Sequence, residues 1–579
     1  MKLKNIILGM TAGVLLLSLN SCEDFLNRPK EDGYNTGLFY KTDEQCLQGV
    51  NYLYNAPWYD FQRAFIKVGE MMSGNLYAGG SDKQFVDLTV NGTQEEIINM
   101  SYSLWSVNAH ANTVILNILS SEGPSQAIKN QCIGECLTWK AMAYFYLARI
   151  YGDVPIIHDN TSMIKDGTYN LVYKVKKENV YEYICLTLEK AMELLPKRTG
   201  NYNGRIDYYA AEALLAKVYL TKAGVMGSLN TNDLKAAAEY AKDVIDNSGR
   251  KLLDNYQDVF KLENNINEEA LISWAWECGS GIWTSQNSFQ SDFGMNGFSE
   301  LADSWGDWTG PSVALMDAFG VSPADDPKVR ENEKDSRRAG TMMMLGDFYE
   351  RFWKDKGGFD YTEFIYNVEY APQGPKGEFR SPTGAHIAKH LYGNTEDHKS
   401  GCGISPKTQM SQLATHLLRL SDLYLVYAEA KLLGENDAAE ALKYVNKVRE
   451  RAGVDPLASV TFDDIWKERR LELALEGDRW YDYVRLSYYD INKAMTDLDA
   501  QRKREYYGLG DLYKEWYESG RTEWNLDETI TRYNTDEAKP NVTPSCFVLP
   551  FPNEDLVYNP RLTEPAIDVD VRATYSYNF

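Results

Sequence analysis

Apolar residues recur at three- and four-residue spacing through two blocks of the chain, and each run stops at glycine or proline, the pattern of amphipathic helices joined by turns. Between residues 100 and 119, Leu104, Val107, Ala111, Val114, Ile115 and Ile118 share one face, and Gly123 and Pro124 close the element. The run from 126 to 151 aligns Cys132, Cys136, Trp139, Ala143, Tyr146, Leu147 and Ile150 before Gly152 and Pro155 break it. The two predict a helical hairpin. A second pair carries Val180, Ile184, Leu188, Ala191 and Leu195 up to Pro196, then Ala211, Leu214, Leu215 and Val218 up to Gly224. A third pair opens with Leu234, Ala237, Ala241, Val244 and Ile245 and closes at Ser248 and Gly249.

The helical signal fades after residue 250 and returns with Leu413, Leu417, Leu420, Leu423 and Tyr427, followed by a partner bearing Ala438, Leu442, Val445 and Val448 and ended by Gly453. A further helix starts at Thr461, where Asp464 makes a capping-box variant, and runs through Glu468 to Arg485. These pairs predict a mainly α fold, a tetratricopeptide-like superhelix interrupted by long irregular loops. No fixed repeat length holds along the chain. The expected division is a helical scaffold at 22–260 and 410–490, a loop-rich insert at 261–409 and a C-terminal segment at 490–579.

The insert changes the picture most. Residues 271–312 hold five of the 13 tryptophans together with six glycines and many Ser and Asn. Trp274 and Trp276 alternate as on a strand, whereas Trp283, Trp305 and Trp308 fit neither period. Long segments of this kind in a folded protein are usually functional. Rings on Gly-rich loops beside Asn, Gln and Asp suit a flat, partly wet ligand such as a sugar. Its C–H face lies on an aromatic ring while its hydroxyls meet planar polar side chains. The alternative is that these rings fold back on the helices as satellite core.

Charge narrows the partners. With 60 Lys+Arg against 83 Asp+Glu the formal charge is −23, a balance that repels phosphate backbones and argues against nucleic-acid binding. The N-terminus has Lys2 and Lys4 followed by an apolar run from Ile6 to Leu19, too short to span a bilayer and read as a cleavable export signal. Cys22 directly after Ser21 fits a lipoprotein box, with residues 1–21 as signal peptide and Cys22 acylated, which predicts anchoring to a membrane without spanning it. Glu23 and Asp24 resemble an acidic export tag for display on the cell exterior.

Catalytic signatures are missing: there is no HExxH, GxSxG, Walker loop or dinucleotide fingerprint. His386, His390 and His398 form a cluster expected to be exposed loop residues, and Cys132 and Cys136 are expected to pack in a helical core. Tyr506 and Tyr507, with Tyr513, Trp516 and Tyr517, are expected to pack along a surface helix. No cofactor, metal or catalytic residue is expected.

Several segments together resemble the SusD/RagB family of outer-membrane nutrient-binding lipoproteins. They are SCEDFLNRP at 21–29, ECLTWKAMAYFYLARIYGDVPII at 135–157, GRIDYYAAEALLAKVYL at 204–220 and AAAEYAKDVIDNSGRKLLDNYQDVF at 236–260. Further matches are LLRLSDLYLVYAEAKLLGENDAAEALKYVNKVRERAGV at 417–454, IWKERRLELALEGDRWYDYVRL at 465–486 and VLPFPNEDLVYNPRL at 548–562. Asn20 and the VLPFP stretch depart from the usual pattern. Arg419, Asp422, Glu429, Glu468, Arg469, Glu472, Glu476 and Arg479 read as buried ion pairs that lock helices, not as ligand contacts.

The resemblance implies a non-catalytic lipoprotein on the cell exterior that captures an oligo- or polysaccharide for a SusC-like TonB-dependent transporter of the outer membrane. A peptide-binding member of the family and a surface glycoside hydrolase are the alternatives. It places ligand contacts regionally: the loop from Trp58 to Tyr77 with Asn75, and the insert with Trp283, Trp305 and Trp308.

Overall fold

Ser125 accepts a hydrogen bond from the Ile128 N–H and Gly152 takes φ 71°, so the helix between them begins and ends where its sequence says it should. The same local logic sets most of the scaffold in the computed structural model, which describes residues 39–200, 202–279, 281–299, 304–406 and 411–579. The export signal and Cys22 lie outside the described residues. Among those described, no helix is long and apolar enough to cross a membrane.

The scaffold helices are α1 (Glu95–Leu119), α2 (Gln126–Tyr151), α3 (Lys177–Leu194), α4 (Tyr208–Lys222), α5 (Thr231–Asn247), α6 (Leu420–Glu435), α7 (Ala438–Ala452), α8 (Phe462–Glu472) and α9 (Arg479–Tyr489). Neighbours along the chain pack on one another, α1 on α2, α2 on α3, α3 on α4 and α4 on α5, which builds the tetratricopeptide-like superhelix. α5 then packs on α6, so the superhelix continues across the insert. Cys132 and Cys136 are buried free thiols on α2, as core packing requires.

Short antiparallel pairs brace the insert: β1 (Leu76–Ala78) with β3 (Thr309–Pro311), β2 (Ala270–Trp274) with β6 (Thr415–Arg419), and β4 (Met342–Met344) with β5 (Ala385–Ile387). The β2–β6 pair overturns one expectation. Leu413 and Leu417 are not helical, because residues 415–419 pair with the strand ending at Trp274 and the helix starts only at Leu420.

A second expectation fails at the stretch from Thr461 to Arg485. The Thr461–Asp464 capping box forms, but the helix stops at Glu472 and restarts at Arg479. Between them Leu475 and Gly477 both take positive φ, and their N–H groups donate to the buried carboxylate of Glu70 at 3.1 and 2.6 Å. The segment opens because a distant acid satisfies donors that a continuous helix would have used itself. The histidines also differ from expectation: His386, His390 and His398 are buried, with His390 Nε2 near the Leu475 carbonyl and His386 Nδ1 2.6 Å from the Tyr361 hydroxyl. Among the described residues no group of His, Cys, Asp and Glu could hold a metal ion.

The acids and bases of the C-terminal helices form one buried lattice. The Arg419 guanidinium donates twice to Glu476 at 2.7 Å, to Glu269 at 2.6 Å and to Glu472 at 3.1 Å. Arg469 pairs with Asp422 and Asp482, Arg485 with Glu429, and Arg337 with Glu468. Lys217 of α4 reaches Asp422 and Asp478, and Arg149 of α2 reaches Asp478, so the lattice ties both halves of the superhelix together.

Candidate functional site: an aromatic cleft

Of the 13 tryptophans, those that are largely exposed are Trp283, Trp305 and Trp308, at 59, 52 and 69%. Trp274 and Trp276 are buried in the core beside the β2–β6 pair. Exposing large rings sacrifices burial energy, so grouped exposure marks an interaction surface.

The local fold explains how these rings stay outside. Trp305 precedes and Trp308 ends the one-turn 3-10 segment Gly306–Trp308, in which Gly306 and Asp307 are buried. The Trp305 N–H donates to the Ser291 carbonyl and the Gly306 N–H to the Gly294 carbonyl. The turn crosses the preceding chain so closely that a Cβ at Gly306 would stand 2.1 Å from the Phe293 carbonyl oxygen. Only glycine fits there. Asp307 accepts from the Asn296 N–H and lies 3.5 Å from Arg380, while burial raises its carboxyl above the usual range. The pair is pinned inward and the two rings point outward.

Both rings line a cleft of about 740 Å³. Tyr77 on β1 also lines it, held against β3 by the Tyr77–Gly310 register. The Tyr77 hydroxyl donates to Glu505 at 2.6 Å. Burial opposes ionisation of Glu505, yet hydrogen bonds from Tyr77, from its own backbone and from Asn534 hold it below the ordinary carboxylate value. Tyr506, expected on a surface helix, instead belongs to a two-residue strand and lines the cleft.

The charges of the cleft are matched within it. Lys67 pairs with Asp82 at 2.9 Å and with Glu96, and these acids raise its pKa against the opposing effect of burial. Arg63 lies 3.6 Å from Asp292, whose carboxyl burial pushes up. Trp283 stands outside the cleft lining, near Tyr59, whose hydroxyl burial pushes up and which lies within the field of Arg63 and Asp292.

Three residues expected at the site do not line the cleft: Trp283 is exposed outside it, and Trp58 and Asn75 are buried in the core. Trp58 is fully buried, its ring packed among Phe61, Trp139 and Trp274 and its indole N–H donating to the Leu53 carbonyl at 2.8 Å. Asn75 is also fully buried; it donates to Glu70 at 2.7 Å and accepts from Arg470 at 2.8 Å. The stretch between them is not a loop but the helix Phe61–Ile66 and a π-turn at Lys67–Met71. Asn75 therefore supports the strand that carries Tyr77, and of this region Tyr77 alone among the named residues faces the cleft. Arg63, Asp292 and Glu505 were missed, being single polar residues whose position carries no spacing signal.

Residues 264–566 match the SusD family, and residues 48–220 match a second description, starch-binding associating with outer membrane. The chain belongs to the SusD family. It is 30% identical to a SusD-like protein of Bacteroides ovatus over 98% of both chains. A crystal structure with a xylogluco-oligosaccharide is similar at a TM-score of 0.75 and 28% identity, covering 92% of this chain and 100% of that one. A laminarin-binding SusD-like protein shares the fold at a TM-score of 0.63 and 22% identity, covering 90% of this chain and 98% of that one.

Proposed function

We propose that this SusD-family protein is a non-catalytic glycan-binding lipoprotein on the cell exterior, which captures an oligo- or polysaccharide and passes it to a SusC-like TonB-dependent transporter of the outer membrane. The observation that carries the reading is the exposure of the tryptophans, with Trp305 and Trp308 lining a cleft that also holds tyrosines and carboxylates. Rings offer a flat face to pyranose C–H groups, and Glu505, Asp82 and Arg63 offer acceptors and a donor to hydroxyls. The xylogluco-oligosaccharide held by a relative of similar fold supports a sugar over a peptide. The outer-membrane description matched by residues 48–220 supports the location.

A binding role also agrees with how the carboxylates are used. Asp82 is engaged by Lys67, Asp292 accepts from Ser288 beside Arg63, and Glu505 accepts from Tyr77. A hydrolase keeps one carboxyl free to give a proton and another free to attack or activate water. The deciding experiment is affinity electrophoresis of the soluble chain from residue 23 onward through native gels containing xyloglucan, laminarin and other neutral polysaccharides. Retardation by at least one polymer is expected, with no oligosaccharide released on incubation. Retardation by none overturns polysaccharide capture, and released product overturns the non-catalytic reading.

Charge sets a further expectation. Both cations of the cleft, Lys67 and Arg63, already face carboxylates, so a polymer bearing carboxylates gains no unpaired partner and meets Glu505. Oxidising the primary hydroxyls of a bound neutral polymer to carboxylates is expected to weaken retention about tenfold, in the range of a single unfavourable charge contact. Equal retention of the oxidised and neutral forms contradicts this.

The turn geometry gives a second expectation. In Gly306→Val the added side chain collides with the Phe293 carbonyl and the turn must move, carrying both rings with it. Affinity measured by isothermal titration calorimetry is expected to fall about tenfold or more, while the far-UV circular dichroism of the helical scaffold stays unchanged.

A further inference from the structure

The turn that bears Trp283 adjoins a second groove of about 400 Å³. On one side the Trp283–Ser285 turn packs on the Ala56–Trp58 turn, which leads through Tyr59 to Arg63 of the cleft. On the other side the Ser285 carbonyl accepts from the Glu277 N–H and Asn55 donates to the Ala275 carbonyl, and Asn55, Ala275 and Glu277 all line the groove.

The groove repeats the chemistry of the cleft in a different part of the chain. Tyr202 is its partly exposed ring, beside the buried Tyr54 and Trp276, and the Arg250 guanidinium stacks on it at 4.5 Å. Arg250 is in turn fixed by Asp207 at 3.1 Å and by the Ala270 carbonyl. Ile266 is 58% exposed at the rim and lies against Gly204, and Asn203 adds an exposed amide. The cations Arg205 and Arg250 are paired with Glu135 and Asp207, and Arg198 and the exposed Glu277 add one charge of each sign to the lining, so the groove offers a fixed ring, an apolar edge, amides and a balanced pair of charges.

We infer that this groove is a second contact region for the same glycan: a chain long enough to pass over Trp283 is held in the cleft by Trp305 and Trp308 and in the groove by Tyr202 and Ile266. The inference rests on the glycan reading of the cleft. Two contact regions joined by one ligand act at high effective concentration, so the groove strengthens binding of long chains and leaves short ones unaffected.

The test measures dissociation constants for xyloglucan and laminarin, each as polymer and as short oligosaccharide, on the wild type, Tyr202→Ala, Ile266→Ser and Trp305→Ala. Ile266 is exposed enough for its replacement to leave folding intact, which thermal melting verifies. Expected are a five- to tenfold loss on the polymer for both groove variants, about 1 kcal/mol, and less than about twofold on the oligosaccharide. Trp305→Ala is expected to weaken both ligands. Groove variants that hold the polymer as the wild type does, or that lose polymer and oligosaccharide equally, overturn the inference while the cleft reading stands. A wild type that binds neither sugar overturns the groove's role for these two glycans, and a Trp305→Ala variant that binds both normally overturns the cleft reading and the groove's role with it.

Discussion

Trp305→Ala is expected to abolish retention of the protein by its polysaccharide while shifting the thermal midpoint by no more than about 1 °C. A ring that is half exposed before binding and covered by sugar afterwards contributes about 1.5–3 kcal/mol, roughly ten- to 150-fold in Kd. It contributes little to the folded state, because an exposed side chain away from the core is generally worth within about 0.5 kcal/mol of stability. Trp283→Ala is expected to behave in the same way. Trp58→Ala supplies the contrast: its ring is enclosed by Phe61, Trp139 and Trp274, and its loss should cost about 3–5 kcal/mol. Calorimetric titration together with differential scanning calorimetry on the three variants separates the two roles. A large fall in midpoint for Trp305→Ala and Trp283→Ala would mean that these rings hold the fold, and the aromatic platform would have to be abandoned.

The second large effect belongs to the buried lattice. In Arg419→Met the carboxylates of Glu269, Glu472 and Glu476 lose their shared donor in an interior with little water to replace it. Breaking such a pair from one side costs about 3–5 kcal/mol, because the charges left behind stay desolvated. Guanidinium unfolding is expected to shift by that amount, with glycan affinity of the folded protein unchanged within about twofold, since neither Arg419 nor its three partners line the cleft. An unchanged midpoint would show that the lattice is dispensable.

The same lattice gives a pH dependence with a definite sign. Burial alone would raise Glu472 and Glu476, but Arg451, Arg419 and Arg337 around the first, and Arg419 and Lys389 around the second, outweigh it and hold both at about 2. A carboxyl held below its ordinary value of 4.5 contributes stability that is complete above that value. The contribution drains away as pH falls from about 4.5 towards 2. Unfolding midpoints at neutral pH and at two points in that window should show the decline, and it should be smaller in Arg419→Met.

Much of the scaffold was legible because its signals are local. α2 begins at a serine cap and ends at a glycine with positive φ, and both are visible within a few residues of sequence. The exceptions were set from far away. The break between α8 and α9 depends on Glu70, some 405 positions from Leu475, and no periodicity within Leu471–Arg479 announces it. Leu413 and Leu417 keep helical spacing with Leu420, yet pairing with the strand at Ala270–Trp274 decides the matter. The histidines looked like loop residues because they fall in the insert where the helical signal fades, whereas each is buried.

The site divided along similar lines. Trp283, Trp305 and Trp308 stood out because neither helical nor strand spacing gave them a core to join, and they are indeed the exposed tryptophans. Trp58 and Asn75 came from a regional likeness, and a region does not say which of its side chains faces outward. The contribution of Glu505 needed the β1–β3 pairing, which brings Tyr77 within 2.6 Å of it from 428 positions away.

The pinned turn at Gly306 and Asp307 separates two kinds of sequence change. Its anchors are backbone carbonyls and one buried aspartate, none of which depends on the identity of the flanking rings. Residues 305 and 308 can therefore be exchanged for tyrosine, arginine or smaller side chains without disturbing the superhelix. Lineages carrying this scaffold can move from one polymer to another by a few substitutions at the rim, and a designer can redirect the protein by the same route.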